Sequence, residues 1–248
     1  MGKLDNKIAI VTGAGQGIGR GIAEKLAAEG ATVVVSDING DTAAETAAAL
    51  GGGAIGIRTD VTDRASVDAM VTEVTDKLGR IDILVNNAGW DKVGPFVNSE
   101  PADWDRIIAI NLYGVLNTCK AVLPVLANQG SGTVVNIASD AGRVGSSGEA
   151  VYAAAKGGVI AFTKTIAREM ARSQVTANCV CPGPADTPLF ASIGGDNPKL
   201  REALIKAIPL RRLAQPSDLG NVVAFLASDE ASFVTGQTVS VSGGLTMS

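Results

Sequence analysis

Residues 7–37 constrain this chain more than any other stretch. A short β-branched run over 7–11 ends in Thr12-Gly13-Ala14-Gly15-Gln16-Gly17-Ile18-Gly19. A helical pattern follows through Glu29, and Gly30 stops it. A second apolar run over 32–36 ends at Asp37. Strand, glycine turn, helix, strand and acid make a βαβ unit of the size that binds a mononucleotide.

The glycine spacing is not the common dinucleotide pattern GxGxxG, and no Walker A sequence is present. The physics is nonetheless shared. At Gly13, Gly17 and Gly19 the missing side chains let backbone approach a pyrophosphate. The helix that opens at Gln16-Gly17-Ile18 offers unpaired N–H groups and a partial positive charge. A plain tight turn would use the same residues. Asp37 favours binding, because a carboxylate there can accept hydrogen bonds from both ribose hydroxyls and repels a 2′-phosphate. No arginine precedes Gly19 in the loop. The expected cofactor is NAD rather than NADP.

The alternation continues along the chain. Strands are predicted over 54–58, 81–85, 133–138, 175–180 and 238–241. Helices are predicted over 40–50, 63–78, 101–126, 150–172 and 216–228, with a bend or end near Pro124. Gly194-Gly195 and Pro198 break a helical excursion around 187–210, placed to cover a substrate. The prediction is a single α/β domain over 1–248: a doubly wound, parallel, seven-stranded Rossmann-like sheet. The polar strand ends at Thr12, Asp37, Asp60, Asn86, Ser139 and Pro182 then share one carboxyl edge, where such sheets bind ligands.

Composition removes several classes of function. The net charge is −4, against the basic surface of a nucleic-acid binder. No apolar run approaches the ~20 residues of a membrane span, and the opening MGKLDNKIAIVTG lacks a signal-peptide core. Cys119, Cys179 and Cys181 form no disulfide framework, and a reducing cytoplasm is the expected setting. Histidine is absent, which excludes Ser-His-Asp hydrolysis and most zinc catalysis; no metal site is expected. Proton transfer falls to Tyr, Lys, Ser or a carboxylate.

Residues 139–156 are where those groups meet. Tyr152 and Lys156 are four apart, one turn from each other on a helix face. Ser139 ends the preceding apolar run. Asn111 sits in the apolar stretch IIAINLYG, where a buried amide needs partners.

These residues together resemble the short-chain dehydrogenases/reductases over essentially the whole chain. The matching pieces are TGAGQGIG at 12–19, Asp37, Asp60-Val61, NNAG at 86–89, Asn111, Ser139, Tyr152 with Lys156, Pro182-Gly183, Thr187 and TGQTVSVSGG at 235–244. The resemblance implies hydride transfer between a nicotinamide and a carbonyl or alcohol carbon, and a homotetramer or dimer. It implies Tyr152 as general acid/base, its phenol lowered from about 10 toward 7–8 by Lys156 and the oxidised nicotinamide. Ser139 would donate to the reacting oxygen, Lys156 would hold the nicotinamide ribose, and Asn111 would hold a water. Asp60 and Val61 would meet adenine, with Asn87, Ala88, Gly89, Pro182, Gly183 and Thr187 along the rest of the dinucleotide. Ser242 departs from the family's usual acid or Asn before the glycine pair.

Loops after the fourth, fifth and sixth strands are expected to form the substrate pocket, with Trp90, Phe96, Val144, Leu189, Phe190 and Ile193 as apolar walls. The expected substrate is a cyclic or aromatic secondary alcohol/ketone pair. NNAGWD at 86–91 and NIASDAGRVGSSGEAVYAA at 136–154 are similar to dehydrogenases of alicyclic and aryl-ethanol substrates within the family. Arg143 is either a contact for an anionic acyl-CoA or an exposed charge. A 3-hydroxyacyl-CoA or 3-oxoacyl-carrier-protein oxidoreductase is the alternative, disfavoured in its NADP-linked form by Asp37. A dinucleotide-sensing protein without catalysis is the reading from a different class.

Overall fold

The computed structural model describes residues 2–247. The first half of the chain reads β1 (Ile8–Thr12), α1 (Gly17–Ala28), β2 (Thr32–Asp37), α2 (Gly40–Leu50), β3 (Ile55–Arg58), α3 (Arg64–Leu78), β4 (Ile83–Asn86) and α4 (Pro101–Ile108). A π-helical turn at Ala109–Tyr113 leads into α5 (Gly114–Gln129). Then come β5 (Gly132–Ile137), α6 (Ala141–Val144), α7 (Ala150–Glu169), β6 (Val175–Pro182), α8 (Pro188–Phe190), α9 (Pro198–Ala207), α10 (Pro216–Ala227) and β7 (Thr238–Val241).

All seven strands are parallel, in the order β3-β2-β1-β4-β5-β6-β7. The order reverses between β1 and β4, and their carboxyl ends open the crevice where such sheets take ligands. The residues of β1 explain the layering. Ile8 and Ile10 point to one face, with Val67 and Met70 of α3, Val122 of α5 and Val159 of α7. Ala9 and Val11 point to the other, with Ile22 and Leu26 of α1 and Leu219 and Val223 of α10. Each fully buried Val, Leu or Ile contributes about 1.5–3 kcal/mol, so a strand buried on both sides is firmly held.

Local chemistry sets the boundaries. Asn39 caps α2 by accepting from the Asp41 and Thr42 N–H groups, and Asp63 caps α3 by accepting from Ala65 N–H. Gly79 ends α3 in the left-handed conformation, φ 76°. One expectation is corrected: Pro124 does not end the helix, since α5 continues to Gln129. A disturbance lies at the π turn that carries Asn111. The excursion at 187–210 is helical and broken at Gly194-Gly195 and Pro198: α8, a second π turn at Ala191–Gly195, and α9.

The helical span Pro101–Gln129 is long and apolar enough to cross a membrane by length and composition alone. Its inner face is spent on the protein core: Val115, Cys119, Val122 and Leu126 are buried against the sheet.

Candidate active site

The loop after β1 forms the first wall of the site. Gly13 has φ +62°, and a Cβ there would stand 2.9 Å from Ala88 Cα, so only glycine lets the two loops meet. Gly17, φ +57°, faces Thr187, whose Cβ would lie 3.6 Å from an added Cβ. Gly19 packs its backbone on the Gly13 carbonyl. Gln16 gives α1 no side-chain cap, and the first turn carries no acidic residue. The helix start therefore keeps its N–H groups and partial positive charge for an anion. Ile18 is partly buried in that first turn against the α1 side of the sheet.

Asp37 is fixed at the tip of β2. Its Oδ2 accepts from Gly15 N–H at 2.9 Å, and its Oδ1 from Asn39 N–H at 3.0 Å. Each carboxylate oxygen keeps a further lone pair for a hydroxyl donor. Asp60 is partly committed: its Oδ1 accepts from both the N–H and hydroxyl of Thr62. Val61 is buried and packs on Gly114.

The NNAG loop is tied to the glycine loop. Asn87 Nδ2 donates to the carbonyls of Thr12 (2.9 Å) and Gly13 (3.0 Å). The Thr12 hydroxyl accepts from the N–H groups of Asn87 and Ala88. Asn87 is thus a brace for the cradle. Gly183 lies against Ser242, with a would-be Cβ 2.7 Å from its Cα, and donates its N–H to Val241. Pro182, its predecessor, ends β6. Thr187 caps α8, accepting from Phe190 N–H at 3.2 Å. A cradle that any Cβ would fill, a free helix start and a fixed acid at the second strand fit a dinucleotide.

The second wall holds the polar groups. Lys156 is buried on α7, and its Nζ donates to the Ile137 carbonyl at the end of β5 at 2.9 Å. That Nζ lies 5.5 Å from the Tyr152 ring centre. Ser139 follows β5, accepts from Ala141 N–H at 3.1 Å to start α6, and offers its hydroxyl to Tyr152. Asn111 is fully buried. Its Nδ2 donates to the carbonyls of Trp90 (2.6 Å) and Ile107 (2.9 Å), while its Oδ1 has no partner. The π turn aims this amide inward, a habit of functional helices. Gly89 lets the three groups close up: a Cβ there would stand 3.0 Å from Asn111 Oδ1 and 3.7 Å from Lys156 Nζ.

The electrostatics depart from expectation. Burial pushes the Tyr152 phenol up, and the charges of Glu149 and Asp91 push it the same way; the Ser139 hydrogen bond pulls it down. The protein alone does not supply the lowered phenol expected from the sequence. Burial pushes the Lys156 ammonium down to about 8, against the opposing pull of Cys179, Cys181 and Asp91. Lys156 therefore exchanges protons close to neutrality.

A cavity of about 160 Å³ adjoins Tyr152, walled by Val93, Pro95, Phe96, Trp104, Ile107 and Val151, with Asp91 and Glu149 as polar groups. Phe96 and Trp104 stack, their ring centres 5.3 Å apart. Of the expected pocket residues Phe96 lines this cavity, while Trp90, Arg143, Val144 and Phe190 lie outside it. The Trp90 ring is covered by the Arg106 guanidinium at 4.0 Å. Phe190 packs on Gly195 inside the excursion. Val144 stands exposed on α6. Arg143 is not a free surface charge: it donates to Ser240 Oγ at 2.6 Å, which in turn donates to Asp140. Sequence reasoning missed Asp91, Trp104 and Glu149. Only the dipeptide Trp90-Asp91 marked the place, and nothing in a loop's periodicity shows that its acid is buried.

The cysteines are packing residues. All three are buried, and burial pushes the Cys119 and Cys181 thiols up to about 12, far from a reactive thiolate.

Fold and site together define a dinucleotide-binding oxidoreductase of the doubly wound α/β class. Residues 13–246 match the family described as enoyl-(acyl carrier protein) reductase, a short-chain dehydrogenase group. The chain belongs to the short-chain dehydrogenase/reductase family. It is 41% identical to the 3-oxoacyl-[acyl-carrier-protein] reductase FabG of Thermotoga maritima, over 98% of this chain and 99% of that one. It is 43% identical to the oxidoreductase UcpA of Salmonella typhimurium, over 100% of this chain and 97% of that one. The structure of 3-ketoacyl-(acyl-carrier-protein) reductase from Brucella melitensis, complexed with NADH, superposes with a TM-score of 0.93 at 34% identity, covering 98% of this chain and 100% of that one. None of these relatives carries the name of a cyclic or aryl alcohol dehydrogenase.

Proposed function

We propose that this protein is an NAD(H)-dependent oxidoreductase that interconverts a 3-oxoacyl thioester and its 3-hydroxyacyl counterpart. The observation that carries the reading is the convergence of Ser139, Tyr152 and Lys156 at the end of β5, opposite a glycine cradle closed by Asp37. The thioester class is supported by the names of the relatives from Thermotoga and Brucella. The Brucella relative was solved with NADH, so an acidic Asp37 does not count against that class.

In this reading Gly13, Gly17, Gly19 and the start of α1 hold the pyrophosphate, and Asp37 holds the adenosine ribose. Asp60, Val61, the 87–89 backbone, Pro182, Gly183 and Thr187 complete the dinucleotide wall. Bound NAD+ supplies the hydride acceptor and a positive charge beside Tyr152. Ser139 donates to the reacting oxygen and steadies its developing charge. Tyr152 takes the hydroxyl proton during oxidation and returns it during reduction. Lys156, anchored on Ile137, orients the nicotinamide ribose and favours the phenolate. Asn111 Oδ1, buried and unpartnered, is placed to hold a water against Lys156. A cytoplasmic homotetramer belongs to the same reading.

A cyclic or aryl secondary alcohol is the second reading, favoured by the Phe96–Trp104 stack in the cavity beside Tyr152. A sensor without catalysis would have no use for a buried lysine beside Tyr152 and Ser139. The deciding experiment follows nicotinamide absorbance with 3-oxoacyl thioesters, cyclic alcohols and 1-arylethanols. The highest kcat/KM is expected with a 3-oxoacyl thioester and NADH. A preference for a ring alcohol would move the assignment to the second reading, and turnover of none would leave the sensor.

A further inference from the structure

Asp91 is 4% exposed, and its carboxyl makes no well-formed hydrogen bond, although the Lys92 N–H and the Glu149 carboxyl lie beside it. A bare acid so deep in a protein calls for a proton, a water or a cation. It follows Gly89 by two residues, and Gly89 borders both Asn111 Oδ1 and Lys156 Nζ. Asn111 Oδ1 is orphaned as well. Asp91 and Asn111 thus leave three buried oxygens without well-formed hydrogen bonds, and the Lys156 charge acts on Asp91.

Glu149 stands on the other side. It precedes α7, three residues before Tyr152, and lines the cavity half-buried. The two loops are zipped together where Gly94 N–H donates to the Gly148 carbonyl at 2.9 Å. Of the other charges lining the cavity, Lys92 is paired with Asp103 at 2.7 Å, and Glu100 is exposed. Arg106 covers Trp90. The Lys156 charge acts on Asp91, with Tyr152 beside it.

We propose that Asp91 and Glu149 share one proton and pass it between Lys156 and the cavity, as positioning residues for the acid–base step of the reading above. A buried carboxyl with a second carboxyl beside it disfavours its own charged form. Burial first, then the charge of Glu149, pushes Asp91 up to about 7, while the Lys92 N–H and Lys156 pull it down. Each oxidation leaves the substrate's hydroxyl proton on Tyr152. That proton moves to Lys156, then to the carboxyl pair, and Glu149 releases it to water in the cavity. Reduction runs the path in reverse. One proton enters, one leaves, and no electrons move along it.

The test uses the full chain. Infrared difference spectra across a pH titration of the protein alone are expected to show a protonated-carboxyl carbonyl band at neutral pH that fades on alkalinisation and is missing in Asp91→Asn. This arm needs no turnover, so its failure is distinct from failure of the thioester reading. With 3-hydroxybutyryl-CoA and NAD+, Asp91→Asn and Glu149→Gln are each expected to lower kcat about 10-fold and leave KM within about twofold. The near-neutral ionisation in the pH profile should disappear in both. An unchanged infrared band in Asp91→Asn would overturn the proposal. So would a fall in kcat with a rise in KM and an intact pH profile. Glu149→Gln, at a half-buried position, carries the kinetic test should Asp91→Asn fold poorly.

Discussion

Lys156 Nζ donates to the carbonyl oxygen of Ile137 at 2.9 Å, which ties the start of α7 to the end of β5. Ser139 lies two residues beyond Ile137, and Tyr152 one turn before Lys156. The lysine therefore sets the distance between the strand-end hydroxyl and the helix phenol, besides carrying a charge of its own. A pair read from sequence as helix spacing proves to be a strand–helix joint.

The joint is held at a cost that varies with pH. Lys156 loses its proton near 8 in the folded protein and near 10.5 when unfolded. Below about 8 both states are charged and the burial penalty, about 3 kcal/mol, is complete. Between 8 and 10.5 the unfolded chain binds more protons, so stability rises with pH. Lys156→Met should lose turnover about 10²- to 10⁴-fold. It should also be at least as stable as wild type at pH 7, with the difference shrinking toward pH 10. Thermal melts across that range measure it; a variant equally destabilised at every pH would contradict the burial argument.

The core holds a polar chain that must stay complete. Asn86 Nδ2 donates to Asn136 Oδ1, and Asn136 Nδ2 donates to Thr163 Oγ, both at 2.8 Å. Thr118 Oγ donates to Asn86 Oδ1 at 2.6 Å. All four residues are buried. Asn136→Ala removes the middle link between β4, β5 and α7, leaving Asn86 Nδ2 only the Cys119 sulfur, and the Thr163 hydroxyl only the Val159 carbonyl and the Cys179 thiol. The expected loss is about 2–4 kcal/mol, read as a lower urea midpoint at an unchanged slope.

Asp37 tests the cofactor. Its carboxylate already accepts from Gly15 and Asn39 N–H groups, so it cannot swing away from an incoming 2′-phosphate without breaking the loop. Asp37→Ala should weaken NADH by about 10-fold and shift the NADH/NADPH preference by about 10- to 100-fold. Fluorescence titration with both nucleotides measures it. A native protein that prefers NADPH would contradict the role given to Asp37.

How much of this was legible depends on range in sequence. The glycine loop, Asp37 and the strand at 238–241 are local patterns, and the structure keeps them residue for residue. The seven parallel strands follow from alternation alone. The π turn at 109–113, by contrast, has the same apolar spacing as an α-helix. Arg143 reads as either an acyl-CoA contact or an exposed charge because Ser240, its partner, lies 97 residues away. Asp91 carries no mark in the sequence because Glu149, which acts on it, comes from a loop far along the chain. Contacts of that range leave no periodicity behind.

Asp91 and Lys156 are both buried, yet their pH dependences run in opposite directions. Asp91 gains its proton near 7 in the folded protein and near 3.8 when unfolded. Between those values the folded chain binds the extra proton, so stability falls as pH rises and levels off above about 7. The full penalty is at most about 4 kcal/mol. Asp91→Asn keeps the shape and removes the charge. The variant should match wild type near pH 4 and exceed it in stability at pH 8. Denaturant midpoints at the two pH values decide the matter: an equal change at both would mean that Asp91 is not held protonated by its surroundings.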